Sequence, residues 1–288
     1  MVTLLALGAA IVYGVADFLG GSVSRRSTAV RVLLVSVPAG IAVMLAVALT
    51  GAAPTWHGIA WGFGAGLSGG AGMLAFYRAL ARGPMSVVAP VSALAAAVLP
   101  VAAGVLRGER LGVPVLLGVL LCLVAIGLVS MEKGDEERAV AGRRAFDNGP
   151  IMAGVSGVSF GIFFILLKEA GGDGGLWPIL ASRLGNLAVV AAAAVILLRA
   201  HGGLPGTPIR GRKLLGLTLL SGTLDAGANA FYFLAAQSGM LSLAAVLTSL
   251  YPAVTVLLAR FAFSERLRAI QRVGMALAVA GVTLVTVG

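Results

Sequence analysis

Residues 75–80 read AFYRAL and residues 230–235 read AFYFLA. The likeness continues downstream of both. GPMSVVAPVSAL at 83–94 answers to SGMLSLAAVLTSL at 238–250, and Gly-Glu-Arg-Leu at 108–111 answers to Ser-Glu-Arg-Leu at 264–267. Upstream, Tyr13-Gly14 answers to Phe160-Gly161, and Arg31 to Arg183. The same signals occur in the same order in both halves, so the chain reads as a tandem duplication. The first unit covers 1–130, the second covers 149–288, and the stretch 131–148 joins them with nine charged residues and no apolar period.

The material between these signals is apolar. Hydrophobic residues fill 59% of the 288 positions and charged ones only 11%, against roughly a quarter in a soluble domain. A soluble fold of this length has too little interior for that much apolar surface, whereas a bilayer accepts it on the outside. Apolar runs fall near 3–23, 30–50, 58–81, 86–106 and 112–130, then near 150–168, 177–198, 214–236, 241–263 and 269–287. Each approaches the ~20 residues a helix needs to cross the hydrocarbon core. They are too long for barrel strands and lack alternation. Five is odd, so the second unit must enter the membrane from the side opposite the first. The expected fold is an all-α integral membrane protein of about ten transmembrane helices, an inverted repeat of two five-helix units. Many transporters are built on that arrangement.

The paired units resemble the EamA domains of the drug/metabolite transporter superfamily. In each half small residues and Ala-Phe-Tyr lead into a long helix that ends at Glu-Arg-Leu, and a glycine-punctuated last helix comes after it (Gly118 and Gly127; Gly274 and Gly281). The family pattern has a proline thirteen residues before the glutamate. Pro252 fits Glu265, but Ala96 holds that place before Glu109, with Pro90 and Pro100 beside it. The resemblance implies a multi-pass transporter of the cytoplasmic membrane with no cofactor and with both termini in the cytoplasm.

Charge distribution speaks differently about orientation. Of 21 Lys and Arg, 17 come after odd-numbered helices and only Arg107, Arg110 and Lys168 after even-numbered ones, with Arg183 inside helix 7. The positive-inside rule then places both termini outside. The net charge of +10 is spread between apolar runs, where it meets headgroups, and no basic domain for nucleic acid exists. The first apolar run lacks a basic leader and contains Asp17, which marks a retained helix. The single cysteine, Cys122, sits in an apolar run, and His57 and His201 stand in separate loops, so neither a disulfide framework nor a metal site is expected.

An ionisable side chain deep in a bilayer is costly and normally faces a cavity or a partner. Asp17, Arg31, Arg183 and Asp225 meet that description. Tyr13 lies one turn before Asp17. Asn229 and Tyr232 come after Asp225 at helical spacing, giving a polar stripe unsuited to lipid. Arg183, with Asn186 three residues on, is placed to pair with a carboxylate or an anionic substrate. Arg31 is near enough to a helix end to snorkel. Asp225, Asn229, Tyr232, Asp17, Tyr13 and Arg183 are therefore the candidate substrate-binding or coupling residues, against the plainer reading of structural interhelix hydrogen bonds. Glu109 and Glu265, at helix ends beside arginines, fit a capping role.

Two motif matches carry no chemistry. Gly64-Ala-Gly66-Leu-Ser-Gly69 lies inside a helix with no strand before it, so it is not a nucleotide loop. Gly58, Gly62, Gly66 and Gly70 recur every four residues and read as a close-packing ridge. Residues 171–175, GGDGG, form a flexible loop.

The sequence thus points to a secondary transporter of a small metabolite or drug-like solute, working by alternating access, with proton-coupled export through Asp225 or Asp17 as one mode. An intramembrane enzyme would need a nucleophile–base pair or clustered metal ligands, and neither pattern is present. A lipid flippase and a structural subunit remain competing readings. Expected partners are the small-molecule substrate, the bilayer and candidate protons, with a homodimer open to test.

Overall fold

The computed structural model describes residues 1–82, 85–129, 149–263 and 269–287. The first unit holds α1 (Val2–Ser24), α2 (Ala29–Ala48), α3 (Trp56–Arg82), α4 (Met85–Leu106) and α5 (Val113–Val129). The second holds α6 (Gly149–Glu169), α7 (Trp177–His201), α8 (Arg212–Gln237), α9 (Leu241–Thr248), α10 (Tyr251–Phe263) and α11 (Ala269–Val287). The joining stretch 131–148 and Glu265 lie outside the described residues.

The burial pattern is that of a protein dissolved in lipid. Large apolar side chains face outward along the helices, among them Ile196 at 66%, Val279 at 69% and Phe261 at 77% exposure. Asp17, Arg183, Asn186, Asp225 and Asn229 are buried. In hydrocarbon every backbone polar group must be satisfied within the protein, which the helices achieve along their own axes. Local signals fix their ends. Pro178 stands in the first turn of α7, where its missing N–H costs nothing, and Gly202 closes the helix in the left-handed region at φ 67°.

The packing shows the duplication. α1 lies against α8, and α6 lies against α3. α2 packs on α8 as α7 packs on α3; α4 packs on α6 as α9 and α10 pack on α1. α2 meets α7, and α5 meets α11. Exchanging each first-unit helix with its second-unit counterpart maps this set of contacts onto itself. Such a set has the symmetry of a two-fold axis, and with an odd number of spans in each unit that axis lies in the membrane plane. The ten spans form an inverted repeat.

Glycine permits the closest crossings. The ridge of α3 faces α7: a Cβ on Gly62 would stand 2.3 Å from the carbonyl oxygen of Pro178, and one on Gly66 would stand 2.0 Å from that of Ser182. On the two-fold-related crossing of α8 with α2, a Cβ on Gly222 would stand 1.9 Å from the carbonyl oxygen of Ser36.

One expected helix is not continuous. The run 241–263 divides into α9 and α10 at Ser249 and Leu250. Pro252 has no N–H, so the Thr248 carbonyl loses its donor one turn ahead. The Leu250 N–H bonds instead to Leu247 O, at 3.3 Å, which tightens the turn. α1 supports the break: Thr248 Oγ1 donates to Ala6 O at 3.4 Å, and Thr255 Oγ1 donates to Gly14 O at 3.2 Å. The counterpart α4 runs unbroken through Pro90 and Pro100.

Candidate functional site

Between the two units lies a cavity whose empty space, mouth included, measures about 600 Å³. The first unit contributes Tyr13 and Asp17 from α1, Gly66, Gly69, Met73 and Phe76 from α3, and Ala96 from α4. The second contributes Phe160, Phe163 and Phe164 from α6, Ser182, Arg183 and Asn186 from α7, Asp225 and Asn229 from α8, and Tyr251 from α10. Tyr13 and Phe160, matched between the repeats in sequence, both reach this space.

The polar part of the wall is built around Arg183. Its Nη1 donates to Asp225 Oδ2 in a buried ion pair, with the two residues only 3% and 6% exposed. A second, longer contact runs from Nη2 to the Asp225 carbonyl at 3.4 Å. Asn229, one turn along α8, donates from Nδ2 to the same carbonyl at 2.6 Å. Arg183 Nε and Asn186 Oδ1 are buried without a hydrogen-bond partner among the described residues. Asn186 Nδ2 reaches only the Met73 sulfur, at 3.2 Å. Two carboxylates thus share the cavity with one guanidinium, and the guanidinium is already engaged. Asp17, 8% exposed, makes no hydrogen bond or ion pair among the described residues.

Five of the six residues singled out from sequence meet in this cavity: Tyr13, Asp17, Arg183, Asp225 and Asn229. Tyr232 stands behind the wall. Its ring packs on Phe164 with centroids 4.2 Å apart, and its hydroxyl donates to Phe164 O at 3.2 Å. The matching tyrosine of the first repeat, Tyr77, is also buried, with its hydroxyl 3.4 Å from Ser221 Oγ. The two Ala-Phe-Tyr motifs brace their neighbours. Arg31 is turned away from the cavity and donates from Nε to Pro205 O at 3.1 Å and from Nη2 to Leu204 O. Phe76, of the first Ala-Phe-Tyr motif, also lines the space, as do Met73, Phe163, Phe164, Ser182 and Tyr251, which sequence reasoning does not mark. Pro252 beside Tyr251 is the one signal that points to any of them.

Each end of the bundle is tied across the units. On the face that holds the N terminus, Glu109 accepts from the N–H of Leu241 at 2.6 Å, the N–H of Ser242 at 3.1 Å and the Ser242 hydroxyl at 2.6 Å. Its negative charge sits on the positive end of α9, a capping arrangement. Arg107 of the first unit pairs with Glu169 of the second nearby, while Lys168 donates within the second unit to Ala236 O and, at 3.0 Å, to Gly239 O. At the opposite face, Ser27 Oγ donates to Thr207 O at 2.7 Å, and Thr28 Oγ1 to Pro205 O at 3.1 Å.

A duplicated, inverted helical bundle around a buried polar cavity is a membrane-protein architecture suited to passing solutes. The sequence model of the EamA-like transporter family matches residues 1–131 and again 147–287, and the chain belongs to that family. Seventeen chains of solved structures match it. One, described only as a protein crystal structure, superposes with a TM-score of 0.71 over 99% of this chain and 96% of its own, at 20% identity. That likeness is one of fold. No curated protein matches the sequence.

Proposed function

We propose that this protein is a secondary transporter that moves a small solute out across the cytoplasmic membrane by alternating access, coupled to protons. The observation that carries the reading is the cavity itself, which both repeats line and which holds a buried ion pair together with a lone carboxylate. The polar ties at the two faces of the bundle join the same two units. Releasing one set while keeping the other would open the cavity to one side at a time, as inverted repeats allow. Asp225 and Asp17 are the protonatable groups within reach of a solute there.

Uptake into liposomes tests this. Purified protein is offered labelled metabolite pools with and without an imposed pH gradient. The expected result is a gradient-dependent accumulation of one or more solutes. Asp225→Asn keeps an acceptor for Arg183 and removes the titrating group, so it should stop gradient-driven accumulation and retain gradient-free exchange. Undiminished gradient-driven transport by that variant would move coupling to Asp17. No accumulation of any solute by the unmodified protein, with or without a gradient, would overturn the transport reading.

A further inference from the structure

We infer that the solute is a small organic cation, an amine with an apolar or aromatic body, and that Asp17 holds its ammonium group. This rests on the transport reading above and adds the chemical class of what is carried. The starting point is the charge in the cavity. Asp225 is neutralised by Arg183, whereas Asp17 is 8% exposed, lines the same space and has no counter-charge among the described residues. In a water-poor site a lone carboxylate is expensive until a positive charge joins it. An ammonium ion supplies that charge together with three N–H donors.

The rest of the lining agrees. Asn186 Oδ1, buried and unpartnered, is a further acceptor. Six aromatic side chains, Tyr13, Phe76, Phe160, Phe163, Phe164 and Tyr251, surround the space. Aromatic faces attract cations and also bury apolar bodies. An anion fits poorly, since the Arg183 charge is already paired with Asp225, only its Nε is left without a partner among the described residues, and the uncompensated Asp17 repels it. A neutral solute would leave Asp17 uncompensated. A bound proton is the rival occupant, and it predicts no preference for a cation over a neutral solute of the same shape.

Three probes of one shape separate these cases: 2-phenylethylamine, 2-phenylethanol and phenylacetate. They are cationic, neutral and anionic at neutral pH. Their binding to the full chain in detergent is measured by calorimetry, and their gradient-free exchange is followed in liposomes. The amine is expected to bind at least tenfold more tightly than the other two. Asp17→Asn should lower amine affinity at least tenfold and leave the other two unchanged, and Asp17→Glu should retain the preference. The charge series on the unmodified protein decides the matter even where a variant folds poorly. Equal or tighter binding of the alcohol or the acid overturns the inference, as does undiminished amine binding by a folded Asn variant or binding of none of the three. Solutes of another charge accumulated in the metabolite screen would keep the transport reading while this inference fails. Amine binding with no flux in any assay would keep Asp17 as an ammonium site while the transport reading fails.

Discussion

At the scale of residues, the Arg183–Asp225 pair sets the sharpest expectations. Removing one partner of a buried ion pair strands the other, typically at a cost of about 3–5 kcal/mol, while replacing both by apolar groups is close to neutral. Asp225→Leu should therefore lower stability far more than the double variant with Arg183→Leu, and Asp225→Asn should fall between them. Unfolding in detergent at matched conditions checks the order. Equal losses for the single and double variants would mean that the pair is not what holds Arg183. The positions in this pair are legible in the sequence because charge inside an apolar run has few explanations. Tyr232 is legible only as a neighbour of Asp225 on the helix. Its hydroxyl turns to Phe164 O, and the repeat explains why: Tyr77 is buried in the same way in the other unit. Phe163 and Phe164 of α6 give no signal, since in an apolar helix an aromatic facing a cavity looks like one facing lipid.

At the scale of elements, the α3–α7 crossing depends on the missing side chains of its ridge. Gly66→Leu would drive Cβ into the backbone of Ser182 and should sharply reduce the monodisperse fraction in size-exclusion chromatography. Gly64, with nothing within 4 Å of the added carbon, is the matched control and should accept Ala without loss. Similar behaviour by the two variants would mean that the ridge is not a packing surface. Glu109 offers a second expectation. It caps α9 through three hydrogen bonds, so Glu109→Ala should destabilise by about 1 kcal/mol, read from the same detergent unfolding. A four-residue glycine period makes the ridge readable. The division of α9 from α10 is less so, because proline is tolerated inside membrane helices and α4 passes through two of them unbroken. What decides is how neighbours hold the break, as α1 does here by accepting from the Thr248 and Thr255 hydroxyls at Ala6 O and Gly14 O, and that is tertiary information.

At the scale of the whole molecule, the duplication is readable from short motifs and the parity of the helix count, and the exchange symmetry of the packing is its consequence. Orientation is where the charge pattern and the family resemblance part. The loop 202–211 carries Arg210 and the loop 49–55 carries no Lys or Arg, so the positive-inside rule puts the former in the cytoplasm. Single cysteines at Gly203 and Ala53, in a Cys122→Ala background, should then react with an impermeant reagent in intact cells only at Ala53. Reaction only at Gly203 would reverse the orientation and favour cytoplasmic termini, as the family resemblance implies.

If the protein is a transporter of the kind proposed, solute passes through the cavity between the repeats. A cysteine replacing Phe160, a lining residue away from the ion pair, permits the direct test in the same background. Liposome flux of a transported solute is measured before and after the thiol is derivatised with a bulky reagent, with the extent of modification read by mass spectrometry. Flux is expected to fall in proportion to modification, and excess solute is expected to slow the modification. Full modification with unchanged flux would put the solute path somewhere other than this cavity.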